Sequence, residues 1–383
     1  MNIDDVKKVT VIGAGAMGNG IAQVAMLAGF DVAMRDIKQE FVDKGMESIV
    51  SNMARMVKKE KITQEKSDEC FSRLKGIVDM DDALKDADLI IEAAPEIMDL
   101  KQKIFKELDE KAPSNAILAS NTSTMSISEI ASATSSPQRV VGMHFFNPAV
   151  ILKLVEVIRG NKSSDEAINV VRDVVLKMKK VPVIVEKDSP GFIYNRVNAP
   201  TVLLLQLILE KGTPAPEEFD ATFKPFMPMA PFELLDYVGI DIGYSTQKYF
   251  SETLSKDYTP TKAFEAQVNS GNLGKKTGKG IYDWSAGKPT IDLSKATKEY
   301  DLTHMVALQV NEATKILEEK VATDPKEIDL ALANGGGGIG PFAMVQAMGG
   351  YDVLVEKCNE LADKFNIDVF RPTKTMKEGK IKV

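Results

Sequence analysis

Histidine and cysteine are almost missing from this sequence, with two of each in 383 residues. Cys70 and Cys358 lie far apart and match no metal-ligand spacing. No metal site is expected, and the two thiols read as filler in a reducing compartment. Long apolar runs are lacking too: the longest near the middle, residues 202–208, is broken by Gln206 and is too short to span a bilayer. A basic excess is absent. Lys and Arg number 48 against 55 Asp and Glu, and the net charge of −7 excludes a general nucleic-acid binder. The opening "MNIDDVKKVTVIGAG" enters a strand-like segment at once and leaves no room for a secretory signal, so a cytoplasmic protein with no membrane partner is expected. What remains is 44% apolar and 27% charged, the composition of a soluble globular chain, and its length calls for two or three domains.

The most informative early stretch is "KKVTVIGAGAMGNGIAQVAMLAGFDVAMRDI". Val9 to Ile12 form a β-branched run suited to a buried parallel strand. Gly13, Gly15 and Gly18 follow in G-x-G-x-x-G spacing, with Ala16 and Met17 completing the turn. Ile21, Val24, Ala25 and Ala28 then recur at helical spacing, and a second strand, 31–34, leads to Asp36. Each part has a physical job in dinucleotide binding. Gly13 permits the tight turn, Gly15 lets the backbone approach a pyrophosphate, and Gly18 lets helix and strand pack closely. Asp36 suits the adenine ribose and favours NAD, because a carboxylate there repels a 2′-phosphate. The neighbouring Arg35 points the other way, since arginine can accept that phosphate. A tight turn in a generic α/β domain is the plainer alternative.

Further alternation extends the pattern. Helices are expected over 39–59 and 98–111, and strands over 76–80, 88–92, 116–119 and 139–143. This predicts a Rossmann-type α/β domain, a parallel sheet with helices on both faces. Ser126 and Glu129 have capping-box spacing, so 120–125 in "ASNTSTMSISEI" should be a loop beyond a strand's carboxyl end, where open α/β sheets bind ligands. His144 ends a strand and enters "FFNP". Glu156 in "KLVEVI" shares a strand face with Leu154 and Ile158, and a carboxylate among apolar neighbours needs a partner. Paired with Glu156, His144 would keep one ring nitrogen as a general base; a purely structural pair has the same spacing. The helix ending in "NMARMVKKEK" carries Arg55, Lys58 and Lys59, followed by Lys61, which read equally as a solvated basic face or a phosphate site.

"GAGAMGNGIAQ", "SNTST", "GMHFFNPAVILKLVEVIRG", "DSPGFIYNRV", "PFELLDYVGID" and "GKKTGKGIYDW" occur in one order. Over about residues 8 to 284 the chain closely resembles the L-3-hydroxyacyl-CoA dehydrogenase family, its 3-hydroxybutyryl-CoA members in particular. The resemblance implies reversible oxidation of (S)-3-hydroxyacyl-CoA to 3-oxoacyl-CoA with NAD, an acyl-CoA as the small-molecule partner. It implies that His144 takes the proton from the 3-hydroxyl, that Glu156 holds His144, and that Ser123 and Asn195 contact the substrate. Ser123, Glu96, Lys101 and Asn147 would contact the cofactor, and Lys59 and Asn52 the coenzyme A phosphates. Asn52 stands where relatives often have serine, and Ala230 where glycine is usual. A sugar-acid (gulonate-type) dehydrogenase of the same superfamily and a non-catalytic crystallin-like dinucleotide-binding protein are the other readings; the basic helix and the short-chain motifs favour the acyl-CoA reading.

Beyond "GIYDW" the chain continues for about a hundred residues that echo the preceding part. Glu210, Lys211, Pro216, Glu218 and Asp220 recur at an offset of 109 as Glu319, Lys320, Pro325, Glu327 and Asp329; Pro231-Phe232 recur at 110 as Pro341-Phe342. This predicts two all-α helical domains in tandem. The expected division is a dinucleotide-binding domain over 1–187, a helical domain over 188–284, a linker over 285–299 and a second, degenerate helical copy over 300–383. The second copy would supply the dimer partner in cis, an internal pseudo-dimer within a monomeric or homodimeric protein. His304 is expected as an exposed helical residue, and "NGGGGIG" as a loop between helices rather than a second nucleotide site.

Overall fold

The β-branched run at 9–12 forms an inner strand, as its composition requires. In the computed structural model, which describes all of residues 1–383, these four residues are buried in β1 (Lys8–Ile12). They sit in an eight-stranded sheet. The other strands are β2 (Asp31–Arg35), β3 (Leu74–Ile77), β4 (Leu89–Glu92), β5 (Ile117–Ser120), β6 (Val140–Phe145), β7 (Leu154–Ile158) and β8 (Val181–Val185), and the order across the sheet is β3-β2-β1-β4-β5-β6-β7-β8. Helices α1 (Ala16–Leu27), α2 (Gln39–Lys58), α3 (Gln64–Ser72), α4 (Met80–Leu84), α5 (Met98–Lys111), α6 (Ile127–Ala131) and α7 (Asp165–Lys177) alternate with the strands. Val9, Val11, Ile21, Leu89, Val141 and Val157 are among the buried residues of the core.

Two expectations about this sheet need correction. It is not wholly parallel: β6 and β7 pair antiparallel, after which β7 and β8 run parallel to each other. Only residues 146–153 connect β6 to β7, too few for the crossover that a parallel neighbour needs. The strand placed at 76–80 is β3 at Leu74–Ile77, because Asp79 accepts a hydrogen bond from the Asp82 amide (3.0 Å) and starts a helix at Met80. The Ser126 cap forms as the spacing required, with its hydroxyl accepting from the Glu129 amide at 3.1 Å.

Residues 1–192, 320–323 and 330–338 make one compact unit, and 193–319, 324–329 and 339–383 the other. The second is helical. It contains α8 (Tyr194–Lys211), α9 (Pro216–Phe223), α10 (Pro231–Val238), α11 (Ile240–Thr253), α12 (Lys262–Asn269), α13 (Leu302–Glu318), the start of α14 (Pro325–Gly336), α15 (Pro341–Met344), α16 (Tyr351–Phe365) and α17 (Lys374–Glu378). Helices on both sides of the expected linker therefore share one unit. The linker itself is packed down: Ile291 is buried against Ala221 and Ala230, and Thr297 donates its amide to Thr222 Oγ1 at 3.0 Å. In "NGGGGIG", expected as a loop, residues 334–336 are the last turn of α14 and only 337–340 form the connection to α15.

Two aspartates brace helix starts in this unit. Asp220 accepts from the amides of Phe232 and Glu233 at the start of α10, each at 2.8 Å. Asp329 accepts from those of Phe342 and Ala343 at the start of α15, each at 2.9 Å. His304, expected on the surface, is instead 2% exposed. Its Nδ1 lies 3.0 Å from Asp301, the residue capping α13, and its Nε2 3.4 Å from Glu360 on α16, because the cap folds the ring back over the helix start.

Candidate active site

The glycine turn follows β1. Gly13 has φ +108°, and a Cβ at Gly18 would lie 1.8 Å from the Gly13 carbonyl oxygen, so both positions demand glycine. A Cβ at Gly15 would meet nothing within 4 Å; it faces open space where Gly15 caps the start of α1, with Ala16 and Met17 in the first turn. Those free helix-terminal amides and the approachable backbone suit a pyrophosphate. Asp36, one residue past β2, is fixed beside the turn: Oδ2 accepts from the Ala14 amide and Oδ1 from the Ile37 amide, both at 2.7 Å. Arg35 is tied elsewhere, its Nε donating to the Val78 carbonyl at 3.0 Å. The charged group held beside the turn is therefore a carboxylate. A groove beside the turn is lined by Gly15, Asn19, Lys44, Asn52 and Arg55. Asn52 donates to Gln23 at 3.3 Å. Lys59 lies beyond this groove, exposed at the C-cap of α2.

Past the carboxyl ends of β4 and β5 lies a buried polar network. The Lys101 ammonium reaches Glu92 at 2.8 Å and Glu96 at 3.2 Å. Lys101 is 1% and Glu92 0% exposed. Glu92 also accepts from the Ser120 hydroxyl at 2.6 Å and the Ala94 amide at 2.7 Å. Glu96 accepts from Thr122 Oγ1 at 2.5 Å, the Ser123 amide at 2.8 Å and Ser123 Oγ at 3.2 Å. Burial works against the Glu96 charge, but Lys101 and these donors outweigh it and hold the carboxyl below its ordinary range. Glu96, Lys101 and Ser123, named separately from the sequence, are thus joined in one chain of contacts. Glu92, not foreseen, is its anchor; its only sequence signal is an acid closing the apolar run "LII".

His144 and Glu156 are direct partners across the antiparallel β6–β7 pair, and His144 Nδ1 lies 2.8 Å from Glu156 Oε2. Glu156 is fully buried and His144 is 5% exposed. Phe146 and Phe192 pack against the imidazole, with ring centroids 4.3 and 6.0 Å away. With Glu156 ionised, Nδ1 carries the proton of the neutral ring and Nε2 is left to exchange one. The Phe145 amide donates to Asn121 Oδ1 at 2.8 Å, tying the serine-bearing loop to the histidine strand; Asn121 was also unforeseen. Asn147 is exposed in the β6–β7 connection. Lys180 donates to the carbonyls of Ala149 and Leu152 there, and burial beside Lys153 pushes its ammonium down to about 8. Asn195 is the second residue of α8 in the helical unit.

The family model described as 3-hydroxyacyl-CoA dehydrogenase, NAD binding domain, matches residues 8–189, and that of the 3-hydroxyacyl-CoA dehydrogenase C-terminal domain matches 191–284. The chain belongs to the 3-hydroxyacyl-CoA dehydrogenase family. It is 41% identical over 287 residues to a 3-hydroxybutyryl-CoA dehydrogenase of Bradyrhizobium diazoefficiens, covering 74% of this chain and 97% of that one. It is 36% identical over 382 residues to a fatty acid oxidation complex subunit alpha of Psychrobacter cryohalolentis, covering 92% of this chain but only 53% of that longer protein. Among solved structures, 3-hydroxybutyryl-CoA dehydrogenase from Escherichia coli K12 superposes with a TM-score of 0.88 at 27% identity, covering 97% of this chain and 98% of that one. An (S)-3-hydroxybutyryl-CoA dehydrogenase from Ralstonia eutropha gives 0.70 at 39% identity, covering 73% and 99%. As a member of this family the protein is an NAD-dependent oxidoreductase of 3-hydroxyacyl-CoA, and the turn with Asp36 is where its residues fit the dinucleotide. None of its helices is long and apolar enough to cross a membrane.

Proposed function

We propose that this protein interconverts short-chain (S)-3-hydroxyacyl-CoA and 3-oxoacyl-CoA, with 3-hydroxybutyryl-CoA and acetoacetyl-CoA as the pair. The buried His144–Glu156 contact carries the reading. When bound, NAD supplies the hydride-accepting chemistry. His144 removes the 3-hydroxyl proton at Nε2, and Glu156 stabilises the imidazolium that forms. Ser123, whose hydroxyl donates to Glu96, offers its lone pairs to the cofactor and substrate, and Asn195 adds a polar contact to the substrate. Glu96, Lys101 and Asn147 serve the nicotinamide half of the cofactor; Gly13, Gly15, Ala16, Met17, Gly18 and Asp36 serve the adenine half. Asn52 and Lys59 take the coenzyme A phosphates.

The segment 300–383 is read as a degenerate second copy of the helical domain over 188–284, with 285–299 joining them. The matching braces of Asp220 and Asp329 support this. So does the offset of 109 carried over from helix ends to braces. The second copy supplies in cis the face that a dimer partner would offer in trans, which raises its effective concentration.

Acetoacetyl-CoA with NADH, followed by NADH absorbance, tests the function. Turnover is expected. No turnover, or turnover only with a sugar acid, would replace the reading.

A further inference from the structure

Arg196 stands beside Asn195 in the first turn of α8 and turns inward, 1% exposed. Its Nε lies 2.8 Å from Glu312 and its Nη1 2.6 Å from Glu319. Glu312 is itself 1% exposed, and both acids belong to α13 or its C-cap. Close by, Gln309 of α13 donates to Asn198 Oδ1 at 3.0 Å, while Asn198 donates to the Tyr194 carbonyl at 2.9 Å. Three side chains from the later helix thus grip the opening turn of α8.

A buried guanidinium needs its counter-charges. Because its donors are fixed in a plane, partners in two directions also fix how the helix is rolled about its axis. Apolar packing alone tolerates a small roll, and a displacement of about 1 Å at a reacting group costs on the order of 10²-fold in rate. α13 lies outside the span of both family models, so this grip ties the matched C-terminal domain to a helix beyond it.

We propose that Glu312 is a positioning residue for the reaction: acting through Arg196, it sets the orientation of the α8 turn that carries Asn195. The later helices then act on catalysis without touching substrate. This rests on the proposed function and on the substrate contact it gives Asn195.

The test uses the full-length chain with Glu312→Gln, Gln309→Ala and Asn195→Ala, and the double variant Asn195→Ala/Glu312→Gln. Turnover of acetoacetyl-CoA, the KM for NADH and the thermal midpoint are measured for each. Glu312→Gln should lower kcat roughly 10- to 100-fold with the KM for NADH nearly unchanged. Gln309→Ala should lower kcat about fivefold, the worth of one hydrogen bond. In the Asn195→Ala background the Glu312→Gln effect should shrink towards none, since effects that act through one another are not additive. A wild-type kcat in Glu312→Gln, whatever its thermal midpoint, overturns the proposal. So does an undiminished effect in the Asn195→Ala background, because the grip would then act on stability or by another route. If Glu312→Gln does not fold, Gln309→Ala decides, and a wild-type kcat there overturns the proposal. A wild-type protein inactive on acetoacetyl-CoA removes the proposed function first and this inference with it.

Discussion

The α/β unit and the helical unit both bury charge, to opposite ends. In the first, buried polar groups gather where strands stop: Glu92 closes β4, Ser120 closes β5, and His144 is the last residue but one of β6. Their contacts run outward, from Glu92 through Lys101 to the partly exposed Glu96 and then to Ser123. In the second, buried charges meet backbone amides, ring or hydroxyl donors, or each other. Asp220 is spent on two amides and the Tyr282 hydroxyl, the last at 2.8 Å. Asp236 is spent on the amides of Ile281 and Tyr282 and on Trp284 Nε1. A chain of polar contacts that ends at an exposed group can be completed by a ligand; one that closes on the backbone is architecture. Burial of a charge alone separates neither case.

The largest effects should come from breaking the outward-facing set. His144→Gln is expected to lower kcat by roughly 10²–10⁴-fold, the usual share of general acid–base catalysis, with little change in cofactor affinity. Glu156→Gln should be slow as well, because the imidazolium loses its counter-charge. Steady-state kinetics with acetoacetyl-CoA and NADH reads both, and full activity in His144→Gln would end the catalytic assignment.

In the helical unit the comparable break is truncation after Trp284. It removes Glu312 and Glu319 together, so Arg196 loses both counter-charges and the helix that covers it. It also bares apolar surface of α8, so the truncated chain should dimerise or aggregate. Sedimentation of both forms checks this. A full-length dimer made by exchanging the first helical copies would refute the internal pseudo-dimer.

A smaller effect sharpens the reading of Asp36. With both oxygens committed to backbone amides and Arg35 tied to Val78, the site presents fixed negative charge. NAD should be favoured over NADP by on the order of 10²-fold in kcat/KM, the scale of a like-charge contact. Equal values for the two cofactors would mean that Arg35 swings free and governs the pocket.

What the sequence made legible was local. The glycine turn and Asp36 lie within 24 residues of each other, α5 was read to the residue because its apolar period is regular, and Ser126 announces its helix by a contact three residues away. What was missed depends on distant partners. Glu92 matters because strand register sets it beside Ser120. β7 runs antiparallel because of a short connection, which its own residues do not encode. His304 is buried because the α13 cap folds its ring back over the helix start, where Glu360 of α16 meets it. His144 and Glu156 fall between these cases: each could be singled out by residue type, but their pairing is a product of register across the sheet.

The finest comparison sets Asp220 against Asp329, two carboxylates with the same two-amide task. Asp220 is fully buried and takes a third donor; Asp329 is half-buried. Replacing either by asparagine turns an acceptor oxygen into an NH₂ facing an amide. At position 220 water cannot repair the loss, so Asp220→Asn should cost about 1–3 kcal/mol, the worth of an unsatisfied buried donor. At position 329 water can reach the freed amide, and Asp329→Asn should cost about 1 kcal/mol, as for an ordinary helix cap. The pH dependence separates them further. Burial pushes the Asp220 carboxyl up to about 6 against its three donors. Its folded value lies above its unfolded one, so the folded state holds the extra proton between about pH 4 and 6. The stability this gives is complete below that window and lost as pH rises through about 6. Denaturant unfolding of the wild type should therefore weaken across the window by a component that Asp220→Asn abolishes. Equal destabilisation by the two substitutions, or the same pH slope in Asp220→Asn as in wild type, would show that the extra burial at Asp220 does not change how its brace works.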